Sequence, residues 1–278
     1  MRKRFGQHFL EPAWVVKVIR AIAPAPDDVF FEIGPGRGAL TRELAARARA
    51  VTAFEIDRDL AAVLRKTAPD NLEIVEGDFL KSGWILAHRP SHAVRVAGNL
   101  PYNVASPILF TLIDLYDAGI PLSDATVMVQ REVADRLVAR PGTKEYGVLS
   151  VLIRVSAEVE RLLVLPPGAF RPAPKVQSAL VRLRFHPTDP LLRSRTTFVA
   201  LVQGIFTRRR KTLDNALLAF RPSDKDKDKD TLDRASISAL LRQAGIDGRR
   251  RPETLDIPEL IRLAEAADRL PAEGRAVL

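Results

Sequence analysis

The sequence predicts an α/β protein in two parts. Residues 1–186 read as an open sheet flanked by helices, and residues 187–278 as a smaller, basic, helical domain. Three observations predict this. Short apolar runs alternate with segments of helical apolar spacing through the first part. A glycine-rich turn joins the first of those runs to a helix. Beyond about residue 187 the extended runs stop, and apolar helical stretches alternate with runs of charge.

The chain has 278 residues, enough for one large domain or a large and a small one, and at 46% hydrophobic it can bury a core. Lys and Arg total 43 against 34 acids, a net charge of +9. That balance suits a polyanionic partner wherever the charge is clustered. There is no cysteine, which removes disulfides, thiolate catalysis and Cys-ligated zinc. His88 and His92 have metal-ligand spacing for a helix, but Pro90 lies between them and no catalytic glutamate accompanies them, so no metal is expected. Met1-Arg2-Lys3-Arg4 is not followed by an apolar core, so no signal peptide is expected. Gly98, Pro101 and Pro107 interrupt the uncharged stretch from Val96 to Ile113, which argues against a membrane span.

In chain order, Arg2-Lys3-Arg4-Phe5-Gly6-Gln7-His8-Phe9-Leu10 is basic and then aromatic. It is either a frayed tail or an arm that folds over a ligand and meets an anion with its basic end. Pro12 suits the first turn of a helix reaching Ala23, with Val15, Val18, Ile19 and Ile22 along one face. Val29 to Ile33 is a strand, and Gly34-Pro35-Gly36-Arg37-Gly38 leads into a helix from Ala39. A second strand, Val51 to Ile56, carries Glu55 about twenty residues past the first glycine. Strand, glycine turn, helix and strand with that acid form a Rossmann-like nucleoside site. Glycines admit the ligand to the backbone, and the acid takes ribose hydroxyls. NAD is compatible with this element alone, although the spacing is G-x-G-x-G. Glu32, just before the loop, resembles the acid that opens S-adenosylmethionine loops.

Leu72 to Val75 is a third strand, ending in Glu76-Gly77-Asp78-Phe79. Asp78 can accept from an adenine amino group with Phe79 against the ring, or the turn is an ordinary one with Phe79 in the core. The fourth strand, Ala93 to Gly98, runs into Asn99-Leu100-Pro101-Tyr102, at the carboxyl end where open α/β sheets place their ligands. The Asn99 side-chain oxygen and the Leu100 carbonyl can accept both hydrogens of one amino group. Pro101 fixes the chain and extends Leu100, and Tyr102 offers a face for a base. The tetrapeptide resembles the N/D-P-P-Y motif of amino-group methyltransferases; as a purely structural feature it is a strand end with a proline turn.

Ala125 to Val129 is a fifth strand, followed by a helix from Arg131 to Ala139, a mobile-looking loop at Pro141 to Lys144 and a helix from Gly147. Val159 to Leu165 and Val176 to Phe185 are two more strands, joined by the proline-rich loop from Pro166 to Lys175. Phe170 in that loop packs into the core or stands exposed as a second stacking platform. From Arg161 to Arg221 twelve Arg and Lys face two acids, including the run Arg208-Arg209-Arg210-Lys211, which reads as a phosphate-binding surface. Asp224 to Asp230 alternates Asp and Lys and reads as a disordered linker. Helices at Ser236 to Ala244 and Pro258 to Leu270 close the chain.

Taken together, these segments resemble the small-subunit ribosomal RNA adenine dimethyltransferases. The matching stretches are Gly6 to Leu10, Glu32 to Thr41, Glu55-Ile56-Asp57, Gly77-Asp78-Phe79, the Asn99 tetrapeptide, Pro167 to Leu180 and Arg208 to Leu213, in order across nearly the whole chain. The resemblance implies dimethylation of two adjacent adenosines near the 3′ end of 16S rRNA with S-adenosylmethionine, in an enzyme that is cytoplasmic and monomeric and acts on the immature 30S subunit. It implies catalytic roles for Asn99, Leu100, Pro101, Tyr102 and Phe170. Cofactor contacts fall to Gln7, His8, Leu10, Glu32, Gly34, Gly36, Gly38, Glu55, Ile56, Asp78, Phe79 and Asn99. RNA contacts fall to Arg2, Lys3, Arg4, Arg171, Lys175, Arg208, Arg209, Arg210 and Lys211. His8 stands where many members have Asn, and the Asp224 to Asp230 insert lies outside the family pattern. The related large-subunit dimethyltransferases share the motif; Arg208 to Leu213 with Asn215 and Leu217 favours the small-subunit group.

Overall fold

A computed structural model describes residues 8–81, 83–188, 192–221 and 232–269. Arg2, Lys3, Arg4, Gln7 and Asp224 to Asp230 therefore lie outside the described residues. The chain divides into two compact units: residues 1–138 with 157–185, and residues 139–156 with 186–278. Residues 139–156, which the sequence reading places in the first domain, group with the second unit.

The first unit is built on a seven-stranded sheet in the order β4-β3-β2-β5-β6-β9-β7. Its strands are β2 (Val29–Ile33), β3 (Ala50–Glu55), β4 (Leu72–Glu76), β5 (Val94–Asn99), β6 (Leu122–Gln130), β7 (Ala157–Leu165) and β9 (Ser178–Phe185). The first five pair in parallel; β9 pairs antiparallel with β6 and with β7. The helices are α1 (Pro12–Ile22), α2 (Ala39–Ala45), α3 (Arg58–Arg65), α4 (Gly83–Ala87), α5 (Ala105–Asp117) and α6 (Arg131–Leu137). The chain passes from β2 to β3 on one side and places β5 on the other, so strand order reverses at β2/β5. The carboxyl ends of such a pair splay around a crevice. Gly98 allows the close approach there: a Cβ on it would sit 2.6 Å from the Ile33 carbonyl oxygen.

Two features escape the sequence pattern. A small ladder pairs β1 (Phe9–Leu10) with β8 (Phe170–Arg171), Leu10 opposite Phe170. Glu11 N–H donates to the Ala169 carbonyl, and Arg171 pairs with Glu11 at 2.5 Å. At the amino ends of the strands, Arg95 makes a two-toothed contact with Asp124 (2.7 and 3.1 Å) and reaches Asp28 at 2.7 Å. It also donates to the Ile22 and Ala23 carbonyls that end α1, where Ala23 is left-handed at φ 53°.

The second unit contains α7 (Val148–Arg154), α8 (Arg195–Phe206), α9 (Leu213–Ala216), α10 (Arg234–Ala244) and α11 (Ile257–Asp268). Its loop from 141 to 147, mobile-looking in sequence, is fastened at two points. Gly142 N–H donates to the Glu253 carbonyl at 2.7 Å, and the fully buried Tyr146 hydroxyl donates to the Leu255 carbonyl at 2.9 Å. Among the described residues no helix is long and apolar enough to cross a membrane.

Candidate active site

Four neighbouring strands, β4, β3, β2 and β5, end on one cleft of about 760 Å³, within the range of small-molecule sites. Three strand spacings of about 4.8 Å each give roughly 14 Å across these ends, the reach of an elongated nucleoside cofactor plus a base. The cleft is lined by His8, Leu10, Glu32, Gly34, Gly36, Glu55, Ile56, Asp78, Phe79, Asn99, Leu100, Pro101 and Tyr102, which brings most of the expected cofactor and clamp residues together. Gly38 and Phe170 are not among its lining, and Gln7 is outside the described residues.

The loop after β2 carries positive φ at Gly34 (70°), Gly36 (58°) and Gly38 (77°), a run that residues with a Cβ rarely adopt. Gly38 thereby acts as the cap of α2 rather than as a wall of the cleft. Glu55, 3% exposed, ties this loop to the next strand: one carboxylate oxygen accepts from Gly36 N–H and the other from Asp57 N–H, both at 2.9 Å. Burial raises the Glu55 pKa, and these backbone donors oppose the rise. Each oxygen retains a lone pair for a ribose hydroxyl. Asp57, for its part, caps α3 through Asp59 and Leu60 N–H.

Glu32 is more telling. It is 1% exposed, and its Oε2 has no hydrogen-bond partner among the described residues. Burial pushes its pKa up to about 8; the nearby Thr41 hydroxyl, although short of good hydrogen-bond geometry, and Arg42 pull the other way, and Glu55 adds to the rise. A buried, unpartnered carboxyl on a cleft wall calls for a cation, and the ammonium of S-adenosylmethionine supplies one. Ile56, half exposed although apolar, and Asp78, whose Oδ1 alone takes the Leu80 N–H, complete a wall for a planar ring. The residues present therefore fit the cofactor.

A pH dependence follows. Without a cation, Glu32 holds its proton below about pH 8; a bound ammonium favours the carboxylate and expels that proton. Calorimetry at pH 7 in buffers of different ionisation enthalpy should show proton release on binding S-adenosylmethionine, with affinity rising toward pH 8. Glu32→Gln should abolish the release. In the ligand-free protein the raised pKa makes folding stability fall as pH rises from about 4.5 to about 8, because the folded state holds the proton that the unfolded state loses.

At β5 the clamp is in place. Leu100 is 1% exposed, and its N–H donates to the Met128 carbonyl at 3.1 Å. Among the described residues nothing donates to the Leu100 carbonyl or to Asn99 Oδ1, while Asn99 Nδ2 donates to the His8 carbonyl at 2.8 Å. Tyr102 is anchored through its hydroxyl, 2.8 Å from the buried Ser178 Oγ, and the His8 ring stacks on it at 5.5 Å. Sequence reasoning missed Ser178; its only signal is an inward position at the start of an alternating strand.

Phe170 corrects an expectation. It is 2% exposed in the core with Leu10, Val15 and Ile19, held there by the β1–β8 ladder. A stacking platform on the loop is not what the fold makes of it, because pairing with Leu10 turns the ring inward. The basic window is also less free than its composition implies. Arg161 pairs with Asp135, Arg171 with Glu11, Arg182 with Asp124 and Arg184 with Glu160. Arg209 donates to the Lys144 and Tyr146 carbonyls and lies 3.8 Å from Glu253, so it fastens the 141–147 loop. Lys175, Arg208, Arg210 and Lys211 remain exposed.

Comparison with known proteins points to one family. Residues 1–244 match the family model described as ribosomal RNA adenine dimethylase. The chain is 41% identical over 268 residues to the ribosomal RNA small subunit methyltransferase A of Acinetobacter baylyi, covering 95% of this chain and 91% of that protein. It is 39% identical to the protein of the same name from Hahella chejuensis, covering 99% and 96%. Among solved structures, a dimethyladenosine transferase from Plasmodium falciparum superposes with a TM-score of 0.74 at 25% identity, over 92% of this chain and 96% of that one. The 23S rRNA methyltransferase ErmE gives 0.63 at 29% identity, over 94% and 100%.

Proposed function

Since the chain belongs to the ribosomal RNA adenine dimethylase family, and is thus an S-adenosylmethionine-dependent rRNA adenine dimethyltransferase, we propose that its substrate is 16S rRNA in the immature small ribosomal subunit. There it dimethylates N6 of two adjacent adenosines near the 3′ end, as a cytoplasmic monomer. The observation that carries the reading is the pair of free acceptors, Asn99 Oδ1 and the Leu100 carbonyl, at the end of the strand beside the cofactor cleft.

The cofactor, when bound, supplies a methyl group on a sulfonium. The chain supplies alignment and polarity. An adenine N6 is a poor nucleophile because its lone pair is conjugated into the ring. Two acceptors on its N–H bonds draw the nitrogen toward tetrahedral geometry and free the lone pair for in-line attack. The base leaves its stack to reach the cleft and lies against Tyr102. The amine, acidified as the new bond forms, passes its proton to water, so no general base is needed. With Phe170 in the core, Tyr102 is the remaining one of the two aromatics expected to hold the target base.

The test is transfer of labelled methyl from S-adenosylmethionine to isolated small and large subunits. Label confined to small-subunit rRNA supports the reading; label confined to large-subunit rRNA overturns it. RNA binding supplies a further expectation. Replacing Arg210 and Lys211 with Ala should flatten the salt dependence of binding by roughly 0.7–0.9 in log–log slope per lost phosphate contact. An unchanged slope places the RNA elsewhere. Arg209→Ala should instead lower the stability of the second unit, detected by urea unfolding.

A further inference from the structure

The amide of Asn99 works only one way round. Its oxygen must face the target amine, because a flipped amide would present N–H to N–H. Among the described residues, one group decides between these orientations: the His8 backbone carbonyl, 2.8 Å from Nδ2. A carbonyl oxygen only accepts, so it requires the nitrogen on its side and leaves Oδ1 on the other. His8 is itself held twice. Its Nδ1 lies 2.6 Å from the Pro172 carbonyl, and its ring stacks on Tyr102 at 5.5 Å with 25° between planes. Immediately downstream, Phe9 and Leu10 pair with Arg171 and Phe170.

We propose that His8 is a positioning residue of the methyl-transfer reaction: its ring is the anchor, and its carbonyl sets the Asn99 amide in the accepting orientation. The inference rests on the clamp reading above. It gives the arm a role in the chemistry in addition to its place on the wall of the cofactor cleft.

The test is single-turnover methylation at saturating S-adenosylmethionine, with RNA affinity measured separately. His8→Ala removes both anchors of the carbonyl and should slow the step roughly 10- to 100-fold, as misalignment of a reacting group does, with RNA affinity unchanged. His8→Gln retains a donor for Pro172 and His8→Phe retains the stack, so each should recover part of the rate. In an Asn99→Asp background the His8→Ala loss should vanish, because a carboxylate has no amide to orient. Nitrogen-15 NMR gives a readout independent of turnover: the Asn99 side-chain amide should exchange slowly in wild type and quickly in His8→Ala. A His8→Ala rate within twofold of wild type, an equal loss in the Asn99→Asp background, or unchanged amide exchange would each overturn the proposal. If Asn99→Ala itself retains wild-type rates, the clamp reading has failed; if Asn99→Ala is slow and His8→Ala is not, only the role of His8 has.

Discussion

Asn99→Ala slows single-turnover methylation by about 10²–10³-fold while RNA binding stays close to wild type, the size expected for losing one preorganised polar partner of a transition state. Asn99 ends β5, Oδ1 has no other described donor, and Nδ2 is committed to His8. The alanine variant keeps the backbone and the Leu100 carbonyl, so binding survives and polarisation of the amine is halved. Tyr102→Ala should show the complementary pattern. It removes base stacking worth about 1–3 kcal/mol, and the deficit should deepen at the second methylation, where one amine hydrogen is gone. Resolving mono- from dimethyladenosine in a single-turnover time course separates the two.

Arg95→Met lowers the unfolding free energy by about 3 kcal/mol, the lower end of the cost of breaking a buried ion pair. Arg95 and its two carboxylates, Asp28 and Asp124, are each at most about one-fifth exposed. Removing the guanidinium takes the ion pair from Asp28 and the two-toothed contact from Asp124, and frees the Ala23 carbonyl at the end of α1, while the Ile22 carbonyl keeps Arg182. Asp124 retains Arg182 at 3.4 Å, which keeps the loss at the low end. Urea unfolding should show a lower midpoint with the slope unchanged. Affinity for S-adenosylmethionine should hold, because Arg95 lies at the amino ends of the strands and the cleft at their carboxyl ends. A wild-type midpoint would show that the network contributes no stability.

Local signals explain how much was legible from the residues alone. The glycine loop, the acid at Glu55 and the proline-fixed tetrapeptide announce themselves through backbone requirements, and each falls on the cleft. What stayed hidden depends on pairs distant in sequence. Leu10 meets Phe170 across a ladder that neither short segment announces, and that ladder sends Phe170 into the core. Arg209 looks like its neighbours in a run of like charge, but Lys144 and Tyr146 turn it into a fastener. Residues 139–156 lie between two segments of the sheet unit in sequence, so their membership of the second unit shows only in three dimensions. Ser178 and the His8 carbonyl gain meaning only once Tyr102 and Asn99 are placed beside them.

On this reading the clamp delivers a methyl group to an adenine amine. The most direct test is nucleoside analysis of small-subunit rRNA after reaction with S-adenosylmethionine, combined with primer extension to locate the modified positions. The account predicts N6,N6-dimethyladenosine at two adjacent positions near the 3′ end, formed by the wild-type protein and nearly absent after the same interval with folded Asn99→Ala. Methylation at a ring nitrogen or carbon, or dimethyladenosine formed at wild-type rate by Asn99→Ala, would contradict it.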